Sequence, residues 1–266
     1  MPTRFNYKFQ EVDSRDYKYQ ITKKNNSSNS YSLIFNKIYD QGNLGSCVSN
    51  AMANLINYYN NNINPSRLYI YFNGRVLSSL DIIDDTGLTI RDGCKSISQY
   101  SVCNENIWPY NITQFSTMPN LKSYTSSINF KNFIYLSVNQ DVSSIKNCIL
   151  NNNPIIFGFY VYSSFLSQKV AQTGQVPYPN IQTETLEGGH CMLICGFDNI
   201  NKVFKCVNSW GTSWGNNGFC FMPYNYITNS SLASDFWTIN FKNISKNLNN
   251  KKIVNVNLLK KLYRFN

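Results

Sequence analysis

The chain has 266 residues, 42% of them hydrophobic, with 24 basic side chains against 14 acidic ones and a formal charge of +10. That is enough apolar material for one large domain or two modest lobes, while no apolar stretch reaches the length of a membrane span and no signal-peptide core opens the chain. A helical membrane protein is therefore excluded, a cytoplasmic or virion-internal setting is the default, and eight cysteines with one histidine, lacking any Cys-x-x-Cys pair, assign no metal.

Residues 1–39 are polar and mixed in charge, and the run Lys23 to Ser30 reads as a flexible linker. Such a leader either packs beside the body or lays part of Phe5 to Tyr19 over a functional cleft and restrains it. Next comes Gln41-Gly42-Asn43-Leu44-Gly45-Ser46-Cys47, a glycine-punctuated loop. Val48, Ala51, Met52, Leu55, Ile56 and Tyr59 then fall at helical spacing, so a helix starts near Cys47 with Ser46 as its expected N-cap. A cysteine there faces unpaired N–H groups and the positive end of the helix dipole, which favour a thiolate. Pro65 and Ser66 open a second predicted helix carrying Leu68, Tyr69, Tyr71, Phe72 and Val76. The acidic stretch Asp81 to Gly87 reads as a solvated connector.

A second lobe is expected from about Ile128. Asp141 caps a short amphipathic helix that Asn151 to Pro154 ends, and Ile155 to Tyr162 reads as a buried strand. The sole histidine, His190, follows Gly188-Gly189 and leads into an apolar run, with further strands expected around Met192–Gly196, Val203–Val207 and Gly218–Met222. The segment after Asp235 carries seven lysines and arginines without an acid, so most of the net charge belongs to a tail, residues 243–266. That tail reads as a solvated extension, or as a basic amphipathic helix that meets membrane, nucleic acid or an acidic partner.

A cysteine nucleophile needs an imidazole partner near neutral pH, and this chain offers one. Asn208, in Asn208-Ser209-Trp210-Gly211-Thr212-Ser213-Trp214-Gly215, supplies an amide able to orient that ring. In motif, order and spacing the chain resembles the papain family of cysteine peptidases, over roughly Asp40 to Tyr226: His190 lies 143 residues after Cys47, Asn208 lies 161 after it, and Gln41 stands six before it. The resemblance implies an α+β, papain-like two-lobe fold, with a helical lobe over about 40–127, a β-barrel-like lobe over about 128–242 and the active site between them. It implies catalysis by Cys47 and His190, with Asn208 orienting the ring and Gln41 in the oxyanion hole, and substrate contacts from Gly93, Gly189 and Trp210. Polypeptides are the implied substrates, and no cofactor is needed. Two departures stand out: Leu44 replaces the usual disulfide cysteine three positions before the nucleophile, which fits a reducing compartment, and Val48 replaces the aromatic residue that usually follows it. The alternative is a papain-scaffold binding protein with vestigial chemistry and a basic tail.

Overall fold

The computed structural model describes residues 5–11, 13–21, 28–127 and 133–241. The basic tail, the core of the predicted linker and the expected lobe boundary at 128 lie outside them. A short strand β1 (Ser30–Ser32) precedes four helices: α1 (Cys47–Tyr59), α2 (Arg67–Leu77), α3 (Ile90–Tyr100) and α4 (Leu121–Thr125). Then come β2 (Phe133–Ser137), α5 (Val142–Leu150), β3 (Ile155–Tyr162), α6 (Gln168–Thr173), β4 (Leu186–Asp198), β5 (Val203–Val207), β6 (Phe219–Pro223), α7 (Tyr224–Thr228) and β7 (Ala233–Phe241).

Helix α1 is central: every residue from Cys47 to Asn57 is buried, so it has no solvent face, polar side chains included. Two of those satisfy themselves locally, Ser49 Oγ and Asn50 Nδ2 both donating to the Ser46 carbonyl at 2.9 Å. Helix α2 starts as its sequence dictates, with the Ser66 hydroxyl accepting the Tyr69 N–H. Asp141 likewise caps α5 by accepting from Ser144 N at 2.8 Å.

The strands form one antiparallel sheet of order β2-β7-β3-β4-β5-β6, with β1 also paired to β4. It is open and not closed into the barrel expected, because β2 and β6 stand at opposite ends of that order. Strand β3 is buried along nearly its whole length and β4 from Gly189 to Phe197, as continuous apolar runs require, and α1 packs against them. The two sets of elements therefore meet along α1 and β4, which carry Cys47 and His190.

All eight cysteines are buried and unpaired, and Leu44 fills its position as a core residue. Among the described residues no helix is long and apolar enough to cross a membrane, and no three His, Cys, Asp or Glu side chains gather as metal ligands.

Candidate active site

Cys47 is the first residue of α1, as its sequence context predicts, but Ser46 does not cap the helix with its side chain. Its hydroxyl is taken by the Tyr110 phenol at 2.6 Å and by Asn50 Nδ2 at 3.0 Å. Tyr110 also donates to the Gln41 carbonyl at 2.9 Å, and the Arg67 guanidinium lies 3.6 Å from its ring centre. Arg67 in turn holds Asp40 O at 2.7 Å, Asn50 Oδ1 at 3.0 Å and both Glu105 oxygens at 2.8 and 2.9 Å. The nucleophile loop thus rests on a buried polar brace. No local pattern in the sequence announces that Tyr110, Arg67 and Glu105 close it.

His190 is fully buried on β4 and bonds through Nε2 to Asn208 Oδ1 at 2.8 Å, leaving Nδ1 without a hydrogen-bond partner. The Trp210 ring lies 5.0 Å from the imidazole at a 31° tilt, roofing that hydrogen bond against water. Gln41 is anchored at both ends of its amide: Nε2 donates to Leu44 O at 2.9 Å and Oε1 accepts from Ser209 Oγ at 2.6 Å. The bond to Leu44 uses one of its two amide hydrogens.

The predicted cleft wall moves. Gly93 lies inside α3, where a Cβ would stand 3.0 Å from Val48 Cγ1 and 3.2 Å from Met52 Cε, so its smallness serves helix packing rather than substrate contact. Gly87 and Leu88 form the wall instead. The acidic loop before them is not merely solvated: Asp85 accepts from Gly45 N at 2.8 Å and from the Tyr71 phenol, clamping the wall to the nucleophile loop.

The cleft is filled by the chain's own N-terminal segment. Asn6 bridges Gly189 in parallel, Tyr7 N donates to Gly189 O at 3.0 Å, Gly189 N to Phe5 O at 3.3 Å, and Lys8 N to Leu88 O at 3.1 Å. Phe5 packs edge-on to His190 at 6.2 Å and against Trp210 at 6.0 Å. Five glycines make the room. A Cβ on Gly45, Gly87, Gly158, Gly188 or Gly189 would come within 2.8 Å of an atom of Phe5, Asn6 or Tyr7. Further along, Asp16 forms a two-point ion pair with Arg91, and Tyr17 and Tyr19 pair with the backbone of Ser137.

Burial shifts both titratable side chains of the site. Desolvation pushes the Cys47 thiol up to about 12, against the amides of Cys191, Val48 and Cys47 that pull it down. Desolvation also lowers His190 to about 4, opposed by its bond to Asn208. In the covered cleft burial therefore opposes the charged form of each group.

Residues 10–238 match the model of the papain family cysteine proteases. An uncharacterized peptidase C1-like protein of Acanthamoeba polyphaga mimivirus is 39% identical over 214 residues, 75% of this chain and 68% of that protein. Cathepsin B of Dictyostelium discoideum is 36% identical over 72 residues, 26% of this chain and 21% of its own length. Among solved structures, xylellain, a cysteine protease from Xylella fastidiosa, superposes with a TM-score of 0.81 at 33% identity, covering 90% of this chain and 96% of that one. ProCathepsin B S9 from Trypanosoma congolense shares the fold at a TM-score of 0.69 and 15% identity, over 90% of this chain and 87% of its own.

Proposed function

The chain belongs to the papain family of cysteine proteases, and from that premise we propose that it hydrolyses peptide bonds through Cys47 and His190 and is held latent by its own leader. The observation that carries this reading is the His190–Asn208 bond at 2.8 Å, because it fixes the ring while leaving Nδ1 free on the side where a thiol can hand over its proton. The Cys47 sulfur lies beside the backbone amide of Cys191, the residue that follows His190.

Once the leader leaves, water and substrate replace Phe5 and Tyr7, the desolvation cost falls, and the thiolate–imidazolium pair becomes accessible. The thiolate attacks the substrate carbonyl. The resulting oxyanion takes hydrogen bonds from the Gln41 amide and the Cys47 backbone N–H. His190 then protonates the leaving amine, and in the second half it takes a proton from water as that water cleaves the thioester. Asn208 holds the imidazole in one tautomer throughout, with Trp210 as its cover. Eight unpaired thiols favour a reducing setting, cytosolic or virion-internal.

The test is turnover of fluorogenic peptides by the full chain, by Cys47→Ala, and by Phe5→Gly/Asn6→Gly/Tyr7→Gly, under reducing conditions. Activity is expected to rise in the leader variant and to vanish with Cys47→Ala. Silence from wild type and leader variant alike, together with no labelling of Cys47 by a thiol-alkylating epoxide, would return the chain to a binding role on the same scaffold.

A further inference from the structure

Tyr7 does more than lie across the cleft; its side chain descends into a recess. The floor of that recess is Gly158 on β3, where a Cβ would stand 1.9 Å from Tyr7 Cε1 and so could not coexist with the ring. Gly158 pairs with Cys191 on β4 and with Ser234 on β7, so the floor lies one strand away from His190. The end wall is made by an irregularity. Between the pairs Gly158–Ser234 and Ile156–Trp237, β3 has one residue while β7 has two, a bulge that places Asp235 at φ +60°. Bulges beside active sites re-aim side chains, and aspartate tolerates this backbone better than most residues. Here the bulge turns the Asp235 carboxylate onto the Tyr7 phenol, which donates to Oδ2; Gln10 N donates to the same oxygen at 3.1 Å. Phe9 closes the recess from above, 4.9 Å from the Tyr7 ring.

Both of these hydrogen bonds to Oδ2 come from the leader. When the leader leaves, Asp235 Oδ2 loses the Tyr7 phenol and the Gln10 amide together. Ser234 also bears on the carboxylate and stays with the body, so a substrate side chain that enters the recess must supply the donor the phenol gave or leave Oδ2 short of its hydrogen bonds. We propose that Asp235 is the specificity-determining residue of this cleft, and that the Gly158–Asp235 recess selects peptides presenting a tyrosine, the leader's Tyr7 being the chain's own copy of that preference. The proposal rests on the peptidase reading above and names the side chain it favours. The planar slot over Gly158 accepts an aromatic ring of either kind. The terminal carboxylate is what separates tyrosine from phenylalanine, because a site built to hydrogen-bond a hydroxyl discriminates strongly against the analogue lacking it.

The experiment uses the full chain carrying Phe5→Gly/Asn6→Gly/Tyr7→Gly, which empties the recess and loosens the leader over the cleft, with fluorogenic peptides bearing tyrosine, phenylalanine or arginine at each position before the scissile bond. At one position tyrosine is expected to exceed phenylalanine in kcat/KM by roughly tenfold or more, and adding Asp235→Gly, which suits the positive φ, should bring that ratio close to one. A tyrosine-to-phenylalanine ratio within twofold at every position, a preference for arginine, or a ratio untouched by Asp235→Gly would overturn the proposal. Should no peptide be turned over at all, the peptidase reading fails and the recess is decided separately by unfolding temperature. Tyr7→Phe and Asp235→Gly should then be clearly non-additive, and additive shifts would overturn the pairing.

Discussion

Two arginines in this molecule make nearly the same bond and have opposite consequences. Arg67 grips Glu105 and Arg91 grips Asp16, each pair two-pronged and each largely shielded from solvent. Arg67 joins parts of the body: it ties α2 to the nucleophile loop through Asp40 and to α1 through Asn50. Arg91 joins α3 to the leader, a segment that, on the function proposed above, must be displaced before a substrate can enter. What an ion pair does is decided less by its geometry than by whether its two ends ever need to part.

The comparison is broken most forcefully at Arg67. Arg67→Met leaves half-buried Glu105 with only the backbone N–H of residue 67 and strips Asp40 O and Asn50 Oδ1 of their donor, so unfolding stability should fall by about 3 kcal/mol, read from urea denaturation. Activity should fall with it in any fraction that folds, because Tyr110 loses the cation stacked on its ring.

Acid comes next in size. His190 titrates near 4 when folded against an ordinary 6.5, so the covered state binds fewer protons than the unfolded chain between those values and loses stability as pH falls through that window. The loss reaches about 3 kcal/mol at its limit. It is partly offset by Asp235, whose carboxyl burial raises, an effect of opposite sign that stabilises the folded state in acid. The rings of Phe5, Phe159 and Trp210 and the amide of Asn208 face His190, and none of these carries a charge. Unfolding midpoints at pH 7 and pH 4.5 measure it, and the pH sensitivity should shrink when Phe5 and Tyr7 are replaced by glycine.

The smallest effect on the body sharpens the contrast. Arg91→Ala should leave the unfolding midpoint within a few degrees of wild type while raising turnover of the full chain several-fold, because it loosens the leader and not the core. Arg15→Ala, which removes an exposed pair with Asp13, should change neither measurement.

Sequence made the body legible and the leader opaque. The helical spacing from Val48 to Tyr59, the cap at Asp141 and the apolar run from Ile155 are local patterns, and each became the element it predicts. The placement of His190 beside Asn208 followed from motif and order. Whether Phe5 to Tyr19 packs aside or lies over the cleft is set by contacts to Gly189, Leu88 and Asp235, all distant in sequence, and no periodicity within the segment encodes them. Ser46 departs from its expected role for the same reason: a serine before a helix suggests a cap, and only the arrival of Tyr110 from far along the chain takes its hydroxyl away. Gly93 carried a cleft role by position, whereas the approach of α1 to α3 fixes its use. Strand β7 escaped prediction because its bulge at Asp235 interrupts the alternation that would have marked it.

The five glycines that seat Phe5, Asn6 and Tyr7 bind the chain's evolution and its pharmacology together. On the function proposed above the leader and a substrate use the same bare backbone, so a side chain acquired at Gly87, Gly158 or Gly189 to shed an inhibitor shaped like Phe5–Asn6–Tyr7 would shut out substrates as well. Resistance through this groove would have to be purchased with the protein's own fitness, which makes the lining between Gly45 and Gly189 a surface from which mutational escape is steeply penalised.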